Sequence, residues 1–581
     1  MDKRWVIKKQ ADKKAADKLA QELKITYNLA NLLVQRDVNT YSEARAFFRP
    51  ELSQLHDPFL MKDMDKAIIR MEKAIQNNEK ILIYGDYDVD GTTAVSLVYT
   101  FLKKFYKEID FYIPDRYGEG YGISTRGIDF ASENNFALVI ALDCGIKAVE
   151  KIEYAKTKNV DFIICDHHRP GDTIPDASAV LDSKRLDCNY PYKELSGCGV
   201  GFKLIQAYQQ KNDFPFYELE EYLDLVAVSI ASDIVAITGE NRILAHFGLI
   251  RINTNPRPGI EAILRYSNIR RKPFRNLYKK NIFSRELTIS DLVFLIGPRI
   301  NAAGRIKSAK NSVELLVSEG MKYAQLLSEQ INVLNTERRS LDHQITIEAL
   351  QMIKDDEKLL NCKSTVVFSE NWHKGVIGIV ASRLTETYYR PTIVLTKSDG
   401  LITGSARSVK NFDVYNAIES CRDLLENFGG HKYAAGLSLK PENLDAFTKK
   451  FNEVVDSTIE DEMLIPEIEI DSKISLNEIN NKFFRILRQF SPFGPGNMAP
   501  VFLTENVVDT GEARIVGKNH LKLSVVHPDI TSLPISAIAF QQGHQITNVK
   551  KNIPLNICYH IEENEWNNNI SLQLNIKDIK Q

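Results

Sequence analysis

Residues 80–94 read KILIYGDYDVDGTTA, an apolar run followed by closely spaced carboxylates. The run from Ile81 to Tyr84 predicts a short buried strand, which ends at Gly85. Three carboxylates follow at every second position: Asp86, Asp88 and Asp90. Negative charges this close repel one another unless a cation neutralises them, and carboxylate oxygens are the preferred ligands of hard divalent cations. The stretch therefore predicts a metal site at the end of a strand.

Two alternatives compete with this interpretation. The pattern DxDxDG also opens an EF-hand loop, but position twelve would be Leu97 where a bidentate glutamate is required. A strand also precedes the loop where an EF-hand has a helix. A solvated acidic turn is the other alternative, although such turns rarely cap a buried strand. The metal site remains the better explanation of the pattern.

The composition is that of an ordinary globular protein. The chain has 581 residues, which predicts about four domains, and its 44% apolar and 26% charged residues are typical of soluble folds. No run approaches the ~18 apolar residues of a membrane span, and the N-terminus lacks the apolar core of a signal peptide. A net charge of −2 does not itself predict a nucleic-acid partner, so local basic patches would have to attract a polyanion.

Seven cysteines are scattered along the chain without a CxxC pair. This pattern argues against a disulfide framework or a zinc knuckle and favours a reducing compartment. We therefore expect a cytoplasmic protein without a membrane partner.

The spacing of apolar residues predicts an α/β protein of five segments. Residues 1–75 are predicted to be helical and connecting. Residues 76–310 alternate strands and helices, which predicts a doubly wound, largely parallel sheet. Residues 311–358 predict a long connecting helix, because no proline interrupts their helical spacing. Residues 359–462 predict a second α/β lobe, and residues 463–581 carry short alternating segments typical of a β-barrel of OB-fold size.

Acidic residues and histidines stand directly after the predicted strands. Asp143 ends one apolar strand, and the triplet Asp166-His167-His168 ends another. Asp233 follows a buried helix, where a carboxylate is costly unless it is paired or ligated; a helix-ending cap is the alternative. Ligands gather at the carboxyl ends of parallel strands, so these groups should converge with the three carboxylates above. Such ligands favour a pair of cations, Mn²⁺ over Mg²⁺, that would hydrolyse a phosphate ester.

Five short motifs carry a resemblance to a known family. In chain order they are GDYDVDG (85–91), LDCG (142–145), CDHH (165–168), SDI (232–234) and GGHKYAAG (429–436). The first four resemble the motifs of the DHH phosphoesterases, and the fifth resembles the glycine-rich signature of the DHH-associated domain. Further motifs are similar to one branch, the RecJ single-strand-specific exonucleases: PDRYGEGYG, SGCGVGFK, GPRINAAGR, WHKGVIGIVASRL and PFGPGNMAP. The resemblance runs from about residue 75 to the C-terminus.

The resemblance implies a role for each residue of the metal site. Asp88 and Asp143 would hold one ion, and His168 would contact the scissile phosphate. The other ion would have four ligands, with Asp143 shared between the ions: Asp90, Asp143, His167 and Asp233.

Three further positions are less sharply assigned. Asp86 is an additional carboxylate that the resemblance places near the ions, either as a ligand or behind one. Asp166 is expected to orient the histidines rather than to bind an ion. Many DHH phosphoesterases have a histidine where this chain has Tyr84, so the first ion would be held less tightly or be more hydrated.

Substrate-binding groups are implied outside the metal ligands. Glycine allows backbone N–H groups to face an anion, and arginine offers a bidentate fork. A plain turn is the alternative for each Gly-Arg stretch; the resemblance favours phosphate binding for Arg299, Ser405, Arg407 and His431 and leaves Arg116 and Arg305 open. The candidate residues are Arg116, His168, Arg299, Arg305, Ser405, Arg407, Gly430 and His431.

One stretch combines basic and aromatic residues: LRYSNIRRKPFRNLYKK, residues 264–280. Basic residues track a nucleic-acid backbone, and each base stacked on an aromatic ring contributes ~1–3 kcal/mol. The stretch predicts a contact with a single strand, and a solvated surface loop is the alternative.

The resemblance implies a metal-dependent 5′→3′ exonuclease that acts on single-stranded DNA in repair and recombination. Two ions, Mn²⁺ or Mg²⁺, would be its cofactors, and a single-strand-binding protein and a RecQ-type helicase are expected partners. Two alternatives stay open. A DHH phosphodiesterase of small substrates would not need the C-terminal barrel, and a non-catalytic single-strand-binding scaffold would not need the complete set of aspartates and histidines.

Overall fold

The computed structural model describes residues 2–273, 281–528, 533–549, 553–566 and 569–581. Two α/β lobes and a C-terminal β domain confirm the predicted fold class. The described residues contain no helix long and apolar enough to cross a membrane. All seven cysteines are free, as their spacing predicts.

The N-terminal segment contains one strand and three helices: β1 (Arg4–Ile7), α1 (Lys13–Leu23), α2 (Tyr27–Val34) and α3 (Tyr41–Phe48). The side chains of Asp12 and Thr40 accept hydrogen bonds from backbone N–H groups and so cap α1 and α3. β1 pairs in parallel with residues 467–470. The apolar faces of the helices pack on the C-terminal domain, so that Leu29 and Phe502 belong to one core.

The first lobe contains five strands and the helices between them: α4 (Met64–Gln76), β2 (Lys80–Gly85), α5 (Val89–Lys103), β3 (Ile109–Tyr112), α6 (Thr125–Glu133), β4 (Phe136–Leu142), α7 (Val149–Thr157), β5 (Asp161–Cys165) and β6 (Ala179–Leu181). The strands are parallel, in the order β3-β2-β4-β5-β6. They are apolar runs because a parallel sheet is covered on both faces. Since β3 and β4 lie on opposite sides of β2, a crevice forms beyond the carboxyl ends of β2 and β4.

Helices follow this sheet: α8 (Gly197–Lys211), α9 (Leu223–Ser232), α10 (Gly239–Thr254), α11 (Pro258–Arg265), α12 (Ile289–Asp291), α13 (Gly297–Ile306), α14 (Lys310–Val317), α15 (Met321–Asp355) and α16 (Glu357–Asn361). A short π-helix, Leu292–Ile296, joins α12 to α13. The 35-residue α15 runs between the lobes, and residues 318–320 separate it from α14.

The second lobe contains a mixed sheet and three helices: β7 (Thr365–Phe368), α17 (Ile377–Tyr388), β8 (Thr392–Ser398), β9 (Leu401–Arg407), α18 (Val414–Glu419), β10 (Asn427–His431), β11 (Ala434–Leu439) and α19 (Leu444–Thr458). The strand order is β10-β11-β9-β8-β7. Only β7 and β8 run parallel among the described pairs of this sheet. Edge strand β10 carries the residues Gly429 to His431, which are exposed.

The C-terminal domain contains β12 (Glu467–Ile470), β13 (Ser472–Lys473), α20 (Asn481–Leu487), β14 (Phe502–Asp509), β15 (Arg514–Val516), β16 (His520–Val526), β17 (Ile535–Ala539), α21 (Ile546–Val549), β18 (Leu555–Trp566) and β19 (Asn569–Lys580). Its sheet has the order β13-β14-β18-β19-β17-β16-β15. β14 also pairs with β16 through Val508 and Asp509. The strands therefore form a partly closed barrel of the OB type.

We predict that Leu29→Ala destabilises the C-terminal domain, because Leu29 is fully buried in the core shared by the N-terminal helices and that domain. Loss of a buried leucine costs about 2–5 kcal/mol. Urea denaturation followed by tryptophan and far-UV signals measures the loss. Leu60→Ala, at a leucine that is 49% exposed, is the control and should change stability little. Equal stability of the two variants would contradict the shared core.

Candidate metal centre

The crevice at the carboxyl ends of β2, β4 and β5 collects the acidic residues. Asp86 directly follows β2, and Asp88 is the N-cap of α5, where its carboxylate accepts a hydrogen bond from the Gly91 N–H at 3.1 Å. Asp143 follows β4, and Asp166 follows β5. The local reason is the same in each case, because an apolar strand ends where a polar residue reaches the crevice.

One group of possible metal ligands consists of Asp90, His167 and Asp233, whose ligand atoms lie within 4.8 Å of one another. His167 Nε2 lies 3.7 Å from Asp90 Oδ2 and 3.6 Å from Asp233 Oδ2. Asp233 is also the C-cap of α9. Asp233 thus ends a helix, as one of the sequence alternatives predicts, and its carboxylate also lies beside His167.

A second group adjoins the first and consists of Asp143, His167 and His168. His167 Nε2 lies 3.2 Å from Asp143 Oδ1, and His168 Nδ1 lies 3.9 Å from the same oxygen. Asp143 Oδ1 and both ring nitrogens of His167 are buried without a hydrogen-bond partner among the described residues. Buried polar atoms normally have partners, so this donor set fits a cation held between the two groups.

The electrostatics of the pocket also favour bound cations. Burial, followed by repulsion from Asp90 and Asp88, raises the pKa of Asp143 well above its usual value. The same causes raise the pKa of Asp233 to about 8, and burial lowers the pKa of His167. Carboxylates that resist ionisation for these reasons are stabilised as anions by a nearby positive charge. A cation bound in the pocket would offset both the burial and the mutual repulsion of these carboxylates.

The carboxylate of Asp90 is held in place by the start of α8. Its oxygens accept hydrogen bonds from the Gly197 and Cys198 N–H groups, each at 2.7 Å, and from the Ser229 hydroxyl at 2.7 Å. A helix N-terminus favours a negative charge. Asp90 is thus oriented by three donors, and its Oδ2 lies 3.7 Å from His167 Nε2.

His168 is oriented by Asp166 on one side and by Tyr121 on the other. Its Nδ1 lies 2.7 Å from Asp166 Oδ1, and its Nε2 lies 3.2 Å from the Tyr121 hydroxyl. Although burial opposes both shifts, this hydrogen bond lowers the pKa of Asp166 to about 2 and raises the pKa of His168 to about 9. Asp166 also accepts the N–H groups of Ile146 and His167. The pair therefore holds an imidazolium at the edge of the pocket.

Asp86 and Asp88 lie outside the two groups of possible ligands found among the described residues. Asp86 accepts the Gly122 N–H at 3.3 Å through Oδ1, and its Oδ2 is buried without a partner among those residues. Burial and the charge of Asp88 raise the pKa of Asp86 well above its usual value. The Tyr84 hydroxyl donates to the Gly122 carbonyl at 2.9 Å, so it faces the neighbouring loop.

Arginines gather beside the acidic pocket, where the two lobes meet. Burial and the charges of Arg116, Arg338 and Arg407 lower the pKa of Arg305 to about 10. Arg305 donates to the Gly375 carbonyl at 2.9 Å, and Arg116 lies over the Tyr87 ring at 5.0 Å. Mutual repulsion of buried arginines is relieved by an anion. The candidates Arg116, Arg305 and Arg407 are thus brought together.

The remaining substrate candidates of the second lobe lie beside this group. Arg407 Nη1 donates to the Ser405 hydroxyl at 3.0 Å. Gly430 and His431 lie at the exposed end of β10. Burial and the positive charges of His168 and two lysines lower the pKa of His431, which places its ring on the side of the first lobe. His431 therefore approaches the acidic pocket across the cleft, whereas Ser405 and Arg407 lie in the same sheet, with Arg407 near Arg305.

Arg299 is engaged differently from the other arginines. It is 8% exposed, and it donates to the Leu295 carbonyl at 2.6 Å and to the Tyr266 carbonyl at 3.2 Å. The bond to Tyr266 connects α13 to the residue that ends α11. Of the basic stretch 264–280, residues 274–280 lie outside the described residues, and Arg271 forms an ion pair with Glu261 at 2.9 Å.

Several site residues are absent from the sequence predictions. Tyr121 contacts His168. Asp90 is held by Ser229, Gly197 and Cys198. The last of these residues is Arg338 of α15, which lies near Arg305. Tyr121 lies in PDRYGEGYG, and Gly197 and Cys198 lie in SGCGVGFK. The motifs marked these positions, but no spacing in the sequence indicated which side chain each would meet.

Comparison with known proteins places this architecture in a defined class. The DHH family N-terminal domain matches residues 80–230, the DHHA1 domain matches residues 361–457, and the RecJ OB domain matches residues 470–578. The fold and the acidic pocket are thus those of a DHH-type phosphoesterase with an appended OB domain.

The full-length relatives narrow this class. The chain is 37% identical over 579 residues to the single-stranded-DNA-specific exonuclease RecJ of Bacillus subtilis, covering 99% of this chain and 70% of the relative. It is 32% identical to RecJ of Escherichia coli, with 89% and 90% covered. The chain belongs to the RecJ family of single-stranded-DNA-specific exonucleases.

Two solved structures agree with this assignment. The crystal structure of Thermus thermophilus RecJ in complex with Mn²⁺ matches with a TM-score of 0.83 and 25% identity, covering 100% of this chain and 79% of that chain. A crystal structure of exonuclease RecJ bound to manganese matches with a TM-score of 0.59 and 28% identity, covering 71% and 98%.

Proposed function

We propose that this protein is a metal-dependent 5′→3′ exonuclease of single-stranded DNA that acts in repair and recombination. The single observation that carries the proposal is the pair of adjoining ligand groups that share His167, with a group of arginines beside them between the lobes. Carboxylates that can hold cations, next to arginines that can bind phosphate, match what hydrolysis of a phosphodiester requires. The family membership supplies the substrate and the polarity.

The metal ligands are assigned to the acidic pocket. Two ions, Mn²⁺ or Mg²⁺, would be held there: one by Asp90, Asp143, His167 and Asp233, and the other by Asp88 and Asp143 with Asp86 behind them. Bound ions supply hydroxide at neutral pH and neutralise charge on the leaving oxygen. The unpartnered atoms of Asp143 and His167 support this assignment, and Mn²⁺ suits the mixture of oxygen and nitrogen ligands.

His168 is assigned to the scissile phosphate. Because Asp166 holds its ring protonated, Nε2 carries a proton that it donates to a phosphate oxygen in place of the Tyr121 hydroxyl. A charge-assisted hydrogen bond that strengthens as negative charge develops lowers the barrier.

The second lobe is assigned to the 5′ end of the strand. Ser405, Arg407, Gly430 and His431 would hold its phosphate, with Arg116 and Arg305 on the facing wall. The contacts of Arg299 with two backbone carbonyls favour an indirect role for this residue, in which it shapes the wall. A cleft between two lobes that admits one strand excludes a duplex by its width, and the OB domain would feed that strand inward.

We predict that Arg407→Met raises KM for a 5′-phosphorylated strand by about 10- to 100-fold, because one hydrogen bond to a charged phosphate is lost. The reason is that Arg407 lies beside Ser405 on the cleft wall and faces no carboxylate there. Steady-state kinetics on 5′-phosphorylated oligonucleotides measure KM and kcat. Arg422→Met, at an exposed arginine of the same lobe, should leave both constants unchanged, and equal KM values for the two variants would refute this role.

The proposed function is tested by the products from a long single strand labelled at either end, with Mn²⁺ and with a chelator. A 5′→3′ exonuclease releases a 5′ label at once as a short product and shortens a 3′-labelled strand progressively, only with the metal. Faster turnover of a dinucleotide than of the long strand would favour the small-substrate phosphodiesterase. Binding without any cleavage would favour the scaffold.

Two partners and a location complete the proposal. We propose a single-strand-binding protein and a RecQ-type helicase as partners, since the first covers single-stranded DNA and the second produces it. We propose the cytoplasm as the location, in line with the seven free cysteines. Co-sedimentation of the purified proteins tests the partners.

A further inference from the structure

The connection that follows Asp233 has an unfavourable backbone. Only residues 233–238 join α9 to α10, and Ile234 adopts a φ of 58° with its side chain 65% exposed. A β-branched residue in the left-handed region is strained. Since little packing holds the Ile234 side chain, neighbouring parts of the molecule must restrain this connection.

The restraint comes from the C-terminal domain. We name its loop Pro492–Met498, the PFGPGNM part of the last family motif, the docking loop. The Ile237 N–H donates to the Pro495 carbonyl at 2.7 Å. A Cβ built on Gly494 would lie 2.4 Å from Ile237 Cδ1, and one on Gly496 would lie 2.9 Å from Thr238 Cγ2. The loop therefore sits directly on the end of the connection, at the distance that only glycine permits.

The docking loop is itself rigid. Gly494 and Asn497 exchange backbone hydrogen bonds of 3.0 and 2.8 Å. The Asn497 amide donates to the carbonyls of Phe490 and Pro492 at 2.8 and 2.9 Å. Arg242 of α10, 5% exposed, donates to the Phe490 carbonyl at 2.8 Å. Because the docking loop is fixed, its contacts with Ile237 and Thr238 restrict the backbone of the connection.

The opposite side of the connection is fixed by the first lobe. The Tyr192 hydroxyl donates to the Ala236 carbonyl at 3.1 Å, and the Asn241 amide donates to the same carbonyl at 2.9 Å. The connection is thus clamped between the two domains. Asp233 needs this support most, because its side chain is 29% exposed whereas those of Asp90 and His167 are 1% and 6% exposed.

We infer that the docking loop positions Asp233, so that the OB domain completes one of the two metal sites of the catalytic lobe. The inference rests on the proposed function, in which Asp233 is a metal ligand. Gly494 and Gly496 are positioning residues in this account, because they act on Asp233 through residues 236–238 and do not approach the pocket. Docking of the OB domain and metal affinity are therefore linked.

The test uses the full chain and Mn²⁺ itself, with free Mn²⁺ counted by electron paramagnetic resonance. Gly496→Ala should lower the Mn²⁺ affinity of one of the two sites about tenfold, the effect typical of residues that support a metal ligand. The affinity of the other site should not change. Gly511→Ala is the matched control, since Gly511 also has positive φ, 95°, in the same domain but a Cβ added there would meet nothing within 4 Å. Unaltered Mn²⁺ affinity in Gly496→Ala would overturn the inference.

A double-variant cycle separates this role from a general loss of structure. If the loop acts through Asp233, Gly496→Ala lowers Mn²⁺ affinity no further in an Asp233→Asn background, whereas additive losses would overturn the inference. Gly494→Ala, whose added Cβ meets the side chain of Ile237 with its Cδ1 nearest at 2.4 Å, serves if Gly496→Ala does not fold and should weaken the same site. A wild-type protein that binds no Mn²⁺ would overturn the proposed function as well, whereas two wild-type sites with unaffected variants would overturn the inference alone.

Discussion

Asp143→Asn is expected to reduce hydrolysis of single-stranded DNA by at least about 10³-fold, because metal stabilisation of the transition state contributes several kcal/mol. Asp143 Oδ1 lies 3.2 Å from His167 Nε2 and is buried without a partner among the described residues. Asparagine keeps the shape but removes the charge shared by the two proposed ions. Turnover at saturating Mn²⁺ measures the loss of hydrolysis. The number of bound Mn²⁺ ions measures the loss of the shared ligand, and it should fall from two to at most one.

The control for this variant is Asp161→Asn. Asp161 lies at the opposite end of the same sheet, where it forms an ion pair with Arg70 at 2.6 Å and is 54% exposed. This variant should retain full activity and both ions. If Asp143→Asn kept its activity within tenfold of the wild type, Asp143 could not be the shared ligand.

His168→Gln is expected to lower kcat by about 10²–10³-fold, as for loss of one donor to a developing negative charge. Both Mn²⁺ ions should still bind, because the proposed role of His168 is to donate from Nε2 to the phosphate. Its Nδ1 is committed to Asp166 at 2.7 Å, which leaves Nε2 for the substrate. Single-turnover kinetics at saturating Mn²⁺ measure this effect without interference from product release.

His343→Gln, at an exposed histidine of α15, is the control for the general effect of this substitution. It should not change kcat. The alternative role for His168 is that of a metal ligand, since it belongs to the group with Asp143 and His167. Loss of an Mn²⁺ ion in His168→Gln would establish that alternative and contradict the assignment to phosphate.

The parallel sheet of the first lobe and the gathering of acidic residues at its carboxyl edge could be predicted from the sequence. The strands are apolar runs that each end in a polar residue, and the carboxyl ends of parallel strands meet at one edge. For this reason Asp143 and His167 could be expected to converge from separate segments, and the structure places one carboxylate oxygen of Asp143 and one of Asp233 within 4 Å of His167 Nε2.

The contacts between distant segments could not be predicted. Residues 1–75 were predicted to be helical and connecting, a prediction that does not say what they contact: Leu29 packs in the core of a domain that begins about 440 residues later. Asp90 was predicted as a metal ligand, and the sequence does not show that its carboxylate accepts the first N–H groups of α8, whose N-cap is Ser196. Arg299 was predicted to contact phosphate, and the sequence does not show its hydrogen bonds to two backbone carbonyls. Local patterns fix which residues are buried, whereas the partner of a buried group depends on tertiary packing.

The central claim is tested most directly by crystals of this protein grown with Mn²⁺ and measured at the manganese absorption edge. The account predicts two anomalous peaks about 3.5–4 Å apart, as in two-metal hydrolases. One peak should be bounded by Asp90, His167 and Asp233, and both should touch Asp143. A single peak, or peaks that touch neither Asp143 nor His167, would contradict it.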